Sequence, residues 1–599
     1  MYKALFVLIC FKNVITNQQS VTQGDTSDIF SSTFQMQALL QAEIEFYNAS
    51  SNEEPELQEL IQSIYNDFVV PNNLEEYVSH PFNSFGIVSR TMQIKKFFTD
   101  NPEFQERYPE IVQRIRIFPP IKDYISVCSA ITLIQETNEF NTSDLAQGNI
   151  VLENGKVFKS DYKLTINDQQ AIGSVACQNH WYDTCIQWLT IALQNSNQNP
   201  NMVDLKDLKR TYKKAIDAHD KYLDTKGPVS KKHRTFPLPF DKNLRKKKKF
   251  KKKKALTKVE KVREYHPLFQ YEIGQNLKDN NLFTCKEGEK WRTEKFNAKL
   301  KCYNLHHNDA YLKLGPFQLE EKNHDPYVVI FRQILHNSEI SHFLSTAKNN
   351  LKRSLFGGSR TGLTRTSKQT WLHDKTFNLP DTFMEEIVPK GVKNPYKDGY
   401  LMAQNMKEPP ALPANYTLYL KVIDKIAFKL SLKIQLATKL HLMGVFSSES
   451  YQIANYGIGG QYATHWDAAG YFEQEHFKDE KKLQNEAAYY KAVGDRFATF
   501  MAYLSDVQVG GKTAFPLLGV AADAVKGDAV FWINVKSSGK VHPLTAHSGC
   551  PVLIGSKWIT NKWIQYYDQY EKFKCDLSEK LDNSHRYHLK FRSNTNQSF

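Results

Sequence analysis

The sequence predicts a multidomain protein with an all-α N-terminal half and an all-β C-terminal domain that has a few helices packed outside it. Three observations predict this division. Apolar residues recur at three- and four-residue spacing from about residue 30 to 140, and again from about 165 to 225. A lysine run follows the second block. From residue 327 onwards, short runs rich in β-branched and aromatic residues alternate with Gly, Pro and Asp.

Length and composition fit several folded domains. A chain of 599 residues with 41% hydrophobic content is enough for about three to five cores. Much of the excess positive charge behind the net charge of +14 lies in the run Arg245–Lys254. Such a run is typical of a solvated linker, and nuclear localisation or polyanion binding is the alternative. Because the excess charge is so localised, we expect no nucleic-acid partner.

The N-terminus indicates the secretory pathway. A basic start at Met1–Lys3 and an apolar run at Ala4–Phe11 predict a signal peptide over residues 1–20, with a buried N-terminal strand as the alternative. No other stretch looks long and apolar enough to span a bilayer, so we expect no membrane span. Asn-x-Ser/Thr sequons compatible with a secreted glycoprotein occur at Asn48, Asn141, Asn415 and Asn596.

Cysteine usage is compatible with the same compartment. Eight cysteines are too few for a disulfide scaffold in so long a chain. Cys285 with Cys302, and Cys550 with Cys575, each close a short loop, and disulfides there would suit an oxidising lumen. The sequence leaves Cys128, Cys177 and Cys185 unassigned.

The first helical region is predicted over residues 21–150. Its apolar stripes favour a bundle core, although a long amphipathic pair could equally form a self-association surface. Pro71 is expected to end the second stripe. The stripes consist of Met36, Leu39, Leu40, Ile44 and Tyr47, and of Leu57, Leu60, Ile61, Ile64 and Phe68.

A second helical block, residues 151–225, resembles one tetratricopeptide-type hairpin of two helices. Small residues such as Gly173 and Ala192 fall where the helices would cross. A single hairpin must lean on its neighbours, because free solenoids need about three repeats. Aromatic groups such as Trp181 and Tyr182 could grip a proline-rich peptide in the polyproline II form, or could simply be core.

The rest of the chain divides into a basic linker at 226–262, a connecting region at 263–330, an all-β domain at 331–575 and a tail at 576–599. Helices are expected at Ser338–Leu355 and Leu418–Lys439. The β-rich runs are Tyr327–Phe331, Tyr451–Tyr456, Phe497–Tyr503, Ala529–Ile533 and Val552–Ile554.

The tripeptide His465-Trp466-Asp467 is the candidate metal site. Residues i and i+2 of a strand point to one face, so the imidazole and the carboxylate would project together. A second imidazole, His547, follows 80 positions after Asp467. Two histidines and one carboxylate form the facial triad of non-haem Fe(II) oxygenases, although a lone His-x-Asp is more often a surface or capping feature.

Further motifs flank the candidate metal site in order along the chain. They are Asn455–Asp467, Gly494–Thr499, Tyr503–Asp506, Gly510–Pro516, Lys526-Gly527, Ala529–Trp532, Thr545–Trp558 and Asn561–Trp563. These motifs resemble the prolyl 4-hydroxylases, and most of all the catalytic α subunits of animal collagen prolyl 4-hydroxylases. The resemblance covers nearly the whole chain, because His80–Phe85, Trp181-Tyr182, the two cysteine pairs and the tail Phe573–Ser578 also match.

The resemblance implies a double-stranded β-helix and a helical dimerisation region at the N-terminus. It implies Fe(II) held by His465, Asp467 and His547, with 2-oxoglutarate and O2 as co-substrates and with ascorbate dependence. Lys557 would pair with the distal carboxylate of 2-oxoglutarate, as suits a buried ammonium group. Tyrosines that match Tyr462 and Tyr503 lie near the co-substrate in the family.

The resemblance also implies substrate and partners. Arg496 matches an arginine near the peptide groove, and alternation along the last strand places Trp563 and Gln565 on the Lys557 face. Family members commonly carry His where Gln565 stands, which puts peptide preference in doubt and not the reaction. We expect a collagen or other proline-rich substrate, a protein disulfide isomerase β subunit in an α2β2 assembly, and an endoplasmic reticulum lumen location.

Two alternatives remain at this point. A lysyl hydroxylase or another related oxygenase would share the iron site, but these enzymes usually present an arginine at the position of Lys557. A non-catalytic subunit that binds collagen or proline-rich peptides would retain the helical blocks without needing the iron ligands.

Overall fold

The computed structural model describes the chain in segments. The predicted signal peptide, the lysine run and Cys575 lie outside the described residues. The described residues are 28–50, 55–198, 204–226, 281–290, 292, 297–348, 350–354, 365–377, 420–444, 447–468 and 494–573.

The N-terminal region is helical, as the periodicity predicts. Its helices are α1 (Thr33–Ala49), α2 (Pro55–Tyr65), α3 (Leu74–Ser79), α4 (Pro81–Asp100), α5 (Pro102–Arg107), α6 (Pro109–Arg114), α7 (Ile121–Asn138) and α8 (Thr142–Ala146). A hairpin of β1 (Asn149–Val151) and β2 (Val157–Lys159) follows them. The predicted stripe residues Met36, Leu40 and Leu57 are buried in the common core. Helix α2 ends at Tyr65, before Pro71 is reached.

Helix α7 is the central helix of this domain. Together with α6 it lies in the stretch Pro109–Asn138. Contrary to the expectation from sequence, this stretch is long and apolar enough to cross a membrane by length and composition. Its apolar side chains, among them Val127, Ile131 and Ile134, are instead packed into the helical core. Burial of this kind is what a core helix requires, so the composition of the stretch is explained by packing.

The second helical block contains three helices and not the predicted two. They are α9 (Ile166–Gln178), α10 (Tyr182–Gln198) and α11 (Leu205–Lys226). A break at His180 separates α9 from α10, because its φ of 63° is left-handed and incompatible with a continuing helix. The block contacts the first domain, as predicted. Trp188 Nε1 donates a hydrogen bond to Gln135 Oε1 on α7 at 2.7 Å.

The C-terminal domain is built from β-strands, as predicted. Several bounds agree closely with the sequence analysis. The strands are β3 (Cys302–Leu305), β4 (Phe317–His324), β5 (Tyr327–Arg332), β6 (Lys352–Arg353), β7 (Lys368–Leu372), β8 (Lys375–Phe377), β9 (Leu420–Val422), β10 (Tyr451–Tyr456), β11 (Tyr462–His465), β12 (Arg496–Tyr503), β13 (Val507–Gly510), β14 (Thr513–Phe515), β15 (Val520–Ala522), β16 (Ala529–Ile533), β17 (His547–Gly549), β18 (Val552–Gly555) and β19 (Lys557–Gln565).

Two sheets organise the domain. The larger has the strand order β3-β4-β5-β16-β12-β19-β10-β7-β6, and the smaller has the order β11-β17-β14-β15. Strands β13 and β18 form a separate antiparallel pair. Because β3 and β4 belong to the large sheet, residues 302–330 are part of the β-domain and not of a connecting region, which moves the predicted boundary at residue 331.

Alternation along the strands separates two apolar layers. Val328 and Ile330 face the smaller sheet and pack against Phe515 of β14. Their neighbours Val329 and Phe331 face the opposite side of the large sheet. The large sheet is therefore buried on both faces, which accounts for its nearly continuous apolar strands.

Two helices cover the outer face of the large sheet, and both are shorter than predicted. They are α13 (Asn337–Lys348) and α14 (Lys425–Thr438), and a short helix α12 (Ala310–Leu314) precedes them. Helix α14 begins late because the carboxylate of Asp424 accepts hydrogen bonds from the amides of Ile426 and Ala427, which is the role of an N-cap.

The predicted disulfide pairing is wrong. The structure joins Cys285 to Cys550 across 265 positions and joins Cys177 to Cys185. Cys302 lies exposed on the edge strand β3 as a free thiol, and Cys128 is a buried free thiol. Cys285 reaches Cys550 because a short helix at 281–287 lies against the strand that carries His547, where Asn281 and the Ser548 hydroxyl are hydrogen bonded.

Candidate metal and co-substrate site

The two histidines of the candidate site lie opposite each other on neighbouring strands. His465 on β11 and His547 on β17 are Cα partners in the antiparallel pair. Side chains of such partners project to the same face of the sheet. The ring centroids are 4.3 Å apart. Strand pairing thus brings together two residues separated by 82 positions in sequence.

Each histidine is fixed by a hydrogen bond to the backbone. His465 Nδ1 lies 2.9 Å from the carbonyl oxygen of Ala463, and His547 Nδ1 lies 2.9 Å from that of Thr545. A carbonyl accepts only, so Nδ1 of each ring must carry the proton. Burial also lowers the pKa of His547 to about 4. The Nε2 atom of each ring is therefore the nitrogen left to bind a metal, as in metal-ligating histidines whose other nitrogen is hydrogen bonded.

Asp467 completes the cluster. Its Oδ1 is 3.6 Å from His465 Nε2, and its Oδ2 is 3.7 Å from His547 Nε2. Burial alone would raise the pKa of this carboxyl, but the two histidines and Arg496 hold it well below its usual range. The three ligand atoms lie within 4.8 Å of one another, and the carboxylate is ionised.

Two further residues orient the carboxylate. The Thr499 hydroxyl on β12 donates to Asp467 Oδ2 at 2.7 Å, and Asn534 Nδ2 donates to Thr499 Oγ1 at 2.9 Å. All three side chains are buried. This chain of bonds joins the large sheet to the metal-ligand cluster. Sequence patterns do not single out Thr499 or Asn534, although Thr499 closes the motif that begins at Gly494.

Aromatic rings wall the cluster. Tyr462 stacks on His465 with centroids 3.6 Å apart, and Trp532 meets His547 edge-on at 4.7 Å. The guanidinium of Arg365 lies 4.6 Å from the Tyr462 centroid. Among the predicted co-substrate residues, Tyr462 therefore lies directly against a candidate iron ligand.

Lys557 is a buried cation in need of an acidic partner. It is 1% exposed, and burial lowers the pKa of its ammonium group to about 7. Within the described part of the chain, its one hydrogen bond runs to the carbonyl oxygen of Lys512 at 3.5 Å, and it has no carboxylate contact. The rings of Tyr456 and Tyr503 lie 5.4 and 5.9 Å from Nζ. A ligand carboxylate would remove the cost of this buried charge.

Three predicted substrate residues come together beside the metal-ligand cluster. Arg496 forms a two-point ion pair with Glu449 at 2.6 and 2.9 Å, and Gln565 Nε2 donates to the same carboxylate at 2.9 Å. The Arg496 guanidinium stacks over Trp563 at 3.8 Å. The Arg496 Nη1 also lies 3.5 Å from the Asp467 carbonyl oxygen. Glu449 is the member of this group that sequence reasoning missed.

Trp181 and Tyr182 are not part of this group. They lie at the start of α10 in the second helical block, where both are partly buried. Trp181 packs against the apolar cluster of that block, and the Tyr182 hydroxyl is 3.0 Å from His180 Nδ1. Their predicted role in peptide binding stays a prediction.

The donor set fits Fe(II) and 2-oxoglutarate. Two neutral imidazoles and one carboxylate on one side of an ion are the ligands of non-haem Fe(II) oxygenases. An ion about 2 Å from each donor atom fits within the observed separations. Lys557 supplies the charge that a dianionic co-substrate needs. The three donor atoms fit Fe(II), and the buried ammonium group fits the carboxylate of 2-oxoglutarate.

Comparison with known families defines the class. Residues 451–565 match the family model of the 2OG-Fe(II) oxygenase superfamily. This range contains the three ligands and Lys557. The protein is therefore a 2-oxoglutarate-dependent dioxygenase whose domain uses Fe(II), 2-oxoglutarate and O2.

The N-terminal domain narrows the class of dioxygenase to which the chain is similar. Residues 32–151 match the model of the prolyl 4-hydroxylase alpha-subunit N-terminal region. The chain is 27% identical over 527 residues to prolyl 4-hydroxylase subunit alpha-2 of Caenorhabditis elegans, covering 84% of each. It is 26% identical over 543 residues to the human subunit alpha-1, covering 84% of this chain and 86% of that one. The chain belongs to the family of prolyl 4-hydroxylase alpha subunits.

Solved structures were also compared. The viral collagen prolyl hydroxylase of Paramecium bursaria Chlorella virus-1, in complex with 2-oxoglutarate, is 21% identical and aligns over 40% of this chain and 95% of its own with a TM-score of 0.24. The Pseudomonas putida prolyl-4-hydroxylase is 15% identical, with coverages of 40% and 92% and a TM-score of 0.21.

Proposed function

We propose that the protein hydroxylates peptidyl proline at C4 in collagen-like or other proline-rich secretory proteins. The observation that carries this proposal is the convergence of His465, Asp467 and His547. The buried cation of Lys557 lies near the same strand as His547, because its Nζ is 3.8 Å from an added Cβ at Gly549. The names of its relatives support proline as the residue modified.

The proposed roles follow from the donor atoms. His465 and His547 bind Fe(II) through Nε2, and Asp467 binds it through a carboxylate oxygen. When bound, iron with 2-oxoglutarate and O2 supplies the oxidation that converts proline to 4-hydroxyproline and releases succinate and CO2. Lys557 binds the distal carboxylate of 2-oxoglutarate, and Thr499 keeps the Asp467 carboxylate in its orientation.

Two tyrosines are proposed to shape the co-substrate pocket. Tyr462 covers one face of His465 and excludes water from it. The Tyr503 hydroxyl donates to Thr513 Oγ1 at 2.8 Å, which leaves its ring against the Lys557 ammonium. Their shared effect is a dry surrounding for the lysine, in which its ion pair with a carboxylate is strong.

The finer architecture is also part of the proposal. The two sheets that enclose the apolar layer around Phe515 form a double-stranded β-helix. Helices α9, α10 and α11 form a tetratricopeptide-type unit, supported by the close crossing at Gly173, where an added Cβ would lie 3.0 Å from Trp188 Cβ. Trp181 and Tyr182 on this unit bind a proline-rich segment of the substrate remote from the site of reaction.

Arg496, Trp563 and Gln565 are proposed to contact the peptide at the reacting proline. They surround Glu449 next to the backbone of Asp467. A stacked guanidinium and indole give a flat surface suited to a proline ring. The neutral amide of Gln565 sets the peptide preference of this chain.

The proposed setting is the secretory pathway, in the lumen of the endoplasmic reticulum. There the chain assembles as an α2β2 tetramer, or another α–α oligomer, with a protein disulfide isomerase as β subunit. Ascorbate sustains turnover. Two disulfides in the described part of the chain are compatible with an oxidising lumen.

One assay tests the proposed reaction. The chain is co-expressed with a disulfide isomerase and supplied with Fe(II), 2-oxoglutarate, ascorbate and (Pro-Pro-Gly)n. We expect 4-hydroxyproline by mass spectrometry and an equal amount of succinate. Hydroxylysine in place of hydroxyproline would identify a related oxygenase. Binding of proline-rich peptides with neither product nor succinate would identify a non-catalytic subunit.

A further inference from the structure

The N-terminal helical domain contacts the β-domain at the turn that leads into the first metal-ligand strand. The amide of Gly457 donates to the carbonyl oxygen of Ser31 at 3.1 Å, and the amide of Ile458 donates to that of Phe30 at 3.3 Å. The side chain of Ile458 is buried in the core of the helical domain. The turn is thus held by backbone hydrogen bonds and by apolar packing at once.

Two glycines in this turn allow the backbone of the helical domain to pack closely against it. An added Cβ at Gly457 would lie 1.9 Å from the Phe30 carbonyl oxygen and 2.7 Å from the Ser32 nitrogen. Gly459, at a φ of 56°, faces the backbone of Ala130 on α7, with its carbonyl oxygen 3.0 Å from an added Cβ. Both close approaches need a residue without a side chain.

The side chain of Asn455 continues this contact into the site. It is fully buried at the end of β10. Its Oδ1 accepts from the Ser32 hydroxyl at 2.6 Å and from the Phe34 amide at 3.3 Å, at the start of α1. Its Nδ2 donates to the Lys557 carbonyl oxygen at 3.2 Å. One amide therefore joins the first helix of the N-terminal domain to the backbone of the co-substrate lysine.

An ion pair closes the same interface on its other side. Arg353 Nε donates to Asp28 Oδ2 at 2.7 Å, and both side chains are buried. The same guanidinium donates from Nη1 to the carbonyl oxygens of Arg365 and Ser367 at 2.5 and 3.1 Å. Residue 365 in turn pairs with Tyr462 as an isolated bridge. Contacts of the helical domain thus reach the strands of both His465 and Lys557.

We propose that the N-terminal helical domain holds the 2-oxoglutarate end of the site in position, with Asn455 as the positioning residue. The domain does not touch the co-substrate and acts through the backbone of Lys557 and through the glycine turn. This inference rests on the proposed function, because it assigns 2-oxoglutarate to Lys557. It makes the helical domain a part of the catalytic unit, in addition to any role in assembly.

The test compares two cap variants in the full chain with its partner subunit. Ser32→Ala removes the bond to Asn455 together with an N-cap, because Ser32 Oγ also accepts from the Gln35 amide at 3.3 Å. Asn73→Ala is the control, because it removes the N-cap of α3. There Asn73 accepts from the Glu76 amide at 3.2 Å and donates to Glu76 Oε2 at 3.5 Å, and neither bond reaches the β-domain. Dissociation constants for Mn(II) and for 2-oxoglutarate in the presence of Mn(II) are measured by calorimetry without O2.

We expect Ser32→Ala to weaken 2-oxoglutarate binding about fivefold, the size of one buried hydrogen bond, and to change Mn(II) binding less than twofold. Asn73→Ala should leave both constants unchanged. If both variants bind 2-oxoglutarate with the same dissociation constant, and the unaltered chain binds it normally, this inference is overturned and the proposed function is not. An unaltered chain that binds no 2-oxoglutarate would overturn the proposed function and this inference with it.

A second measurement needs no variant. Because coupling is reciprocal, 2-oxoglutarate must stabilise the interface that supports its site. Hydrogen exchange at the amides of Gly457 and Ile458, and in the first turn of α1, should slow by at least threefold when 2-oxoglutarate is added. Unchanged exchange at these amides, alongside slower exchange near Lys557, would contradict the proposal.

Discussion

Thr499 donates its hydroxyl hydrogen to Asp467 Oδ2 at 2.7 Å, so a central strand of the large sheet orients the carboxylate of the metal-ligand cluster. Asp467 lies two residues beyond the end of β11, and Asn534 Nδ2 donates in turn to the threonine hydroxyl. Because the carboxylate is bonded through one oxygen, its other oxygen remains available to an ion.

Replacement of Thr499 tests this orientation. Thr499→Val keeps the shape of the side chain and removes the bond, and we expect Fe(II) or Mn(II) affinity to fall about 10- to 100-fold. Thr560→Val is the control, because Thr560 is equally buried and its hydroxyl has no hydrogen-bond partner in the described part of the chain. Equal metal dissociation constants for the two variants would show that the Thr499 bond does not support the metal.

Removal of the Lys557 charge separates co-substrate from metal. Lys557→Ala should raise the 2-oxoglutarate requirement at least tenfold while the iron requirement changes little, since the ammonium is not a metal ligand. Steady-state titrations of each component measure the two effects. A parallel rise in both requirements would contradict the role assigned to Lys557.

The buried charge of Lys557 favours 2-oxoglutarate binding but lowers the stability of the ligand-free protein. Its ammonium is buried without a carboxylate partner among the described residues, so Lys557→Met should raise the free energy of unfolding of the ligand-free protein by about 1 to 3 kcal/mol. The same variant should lose the thermal stabilisation that 2-oxoglutarate gives to the unaltered protein. Thermal unfolding with and without 2-oxoglutarate measures both, and a destabilised Met variant would contradict the prediction.

Binding of 2-oxoglutarate should take up a proton above neutral pH. Burial lowers the pKa of Lys557 to about 7, so the group is largely neutral at pH 8 in the free protein. A bound carboxylate favours the charged form and raises that pKa again. Affinity should therefore fall as pH rises from 7 to 9. Calorimetry at pH 8 in buffers of different ionisation enthalpy should report close to one proton taken up, and none in Lys557→Arg.

Gln565→His tests the peptide groove. A histidine retains a donor for Glu449 but adds a group that titrates near neutral pH. We expect a changed ranking of proline-rich peptides by kcat/KM, with little change in the 2-oxoglutarate constant. The control is the same peptide series on the unaltered chain. An unchanged ranking would remove Gln565 from the groove.

Local sequence pattern was sufficient for much of the fold. The strand Tyr451–Tyr456 has the bounds that its composition predicts, because apolar runs between turn residues have few other choices. His465 and Asp467 converge as predicted, but not for the predicted reason, because β11 ends at His465 and Asp467 lies two residues beyond it. The break at His180 was missed, because one left-handed residue leaves the apolar period on either side almost intact.

Contacts between segments that are distant in sequence could not be predicted from local sequence patterns. The pairing of Cys285 with Cys550 depends on where the helix at 281–287 docks, and short sequence loops suggested other partners. Likewise Thr499 reads as an ordinary strand residue until the fold sets it against Asp467. Motifs therefore identified residues that bind the ligands directly, and the fold was needed to find those that support them.

The close approach at Gly457 has a consequence for the evolution of the chain. Not even a methyl group fits there while the Phe30 carbonyl occupies its present place. Position 457 and the backbone path of residues 29–33 must therefore change together or not at all. A β-domain of this kind that lacks the helical segment is released from that restriction, so side chains at this position in an alignment would mark lineages without the segment.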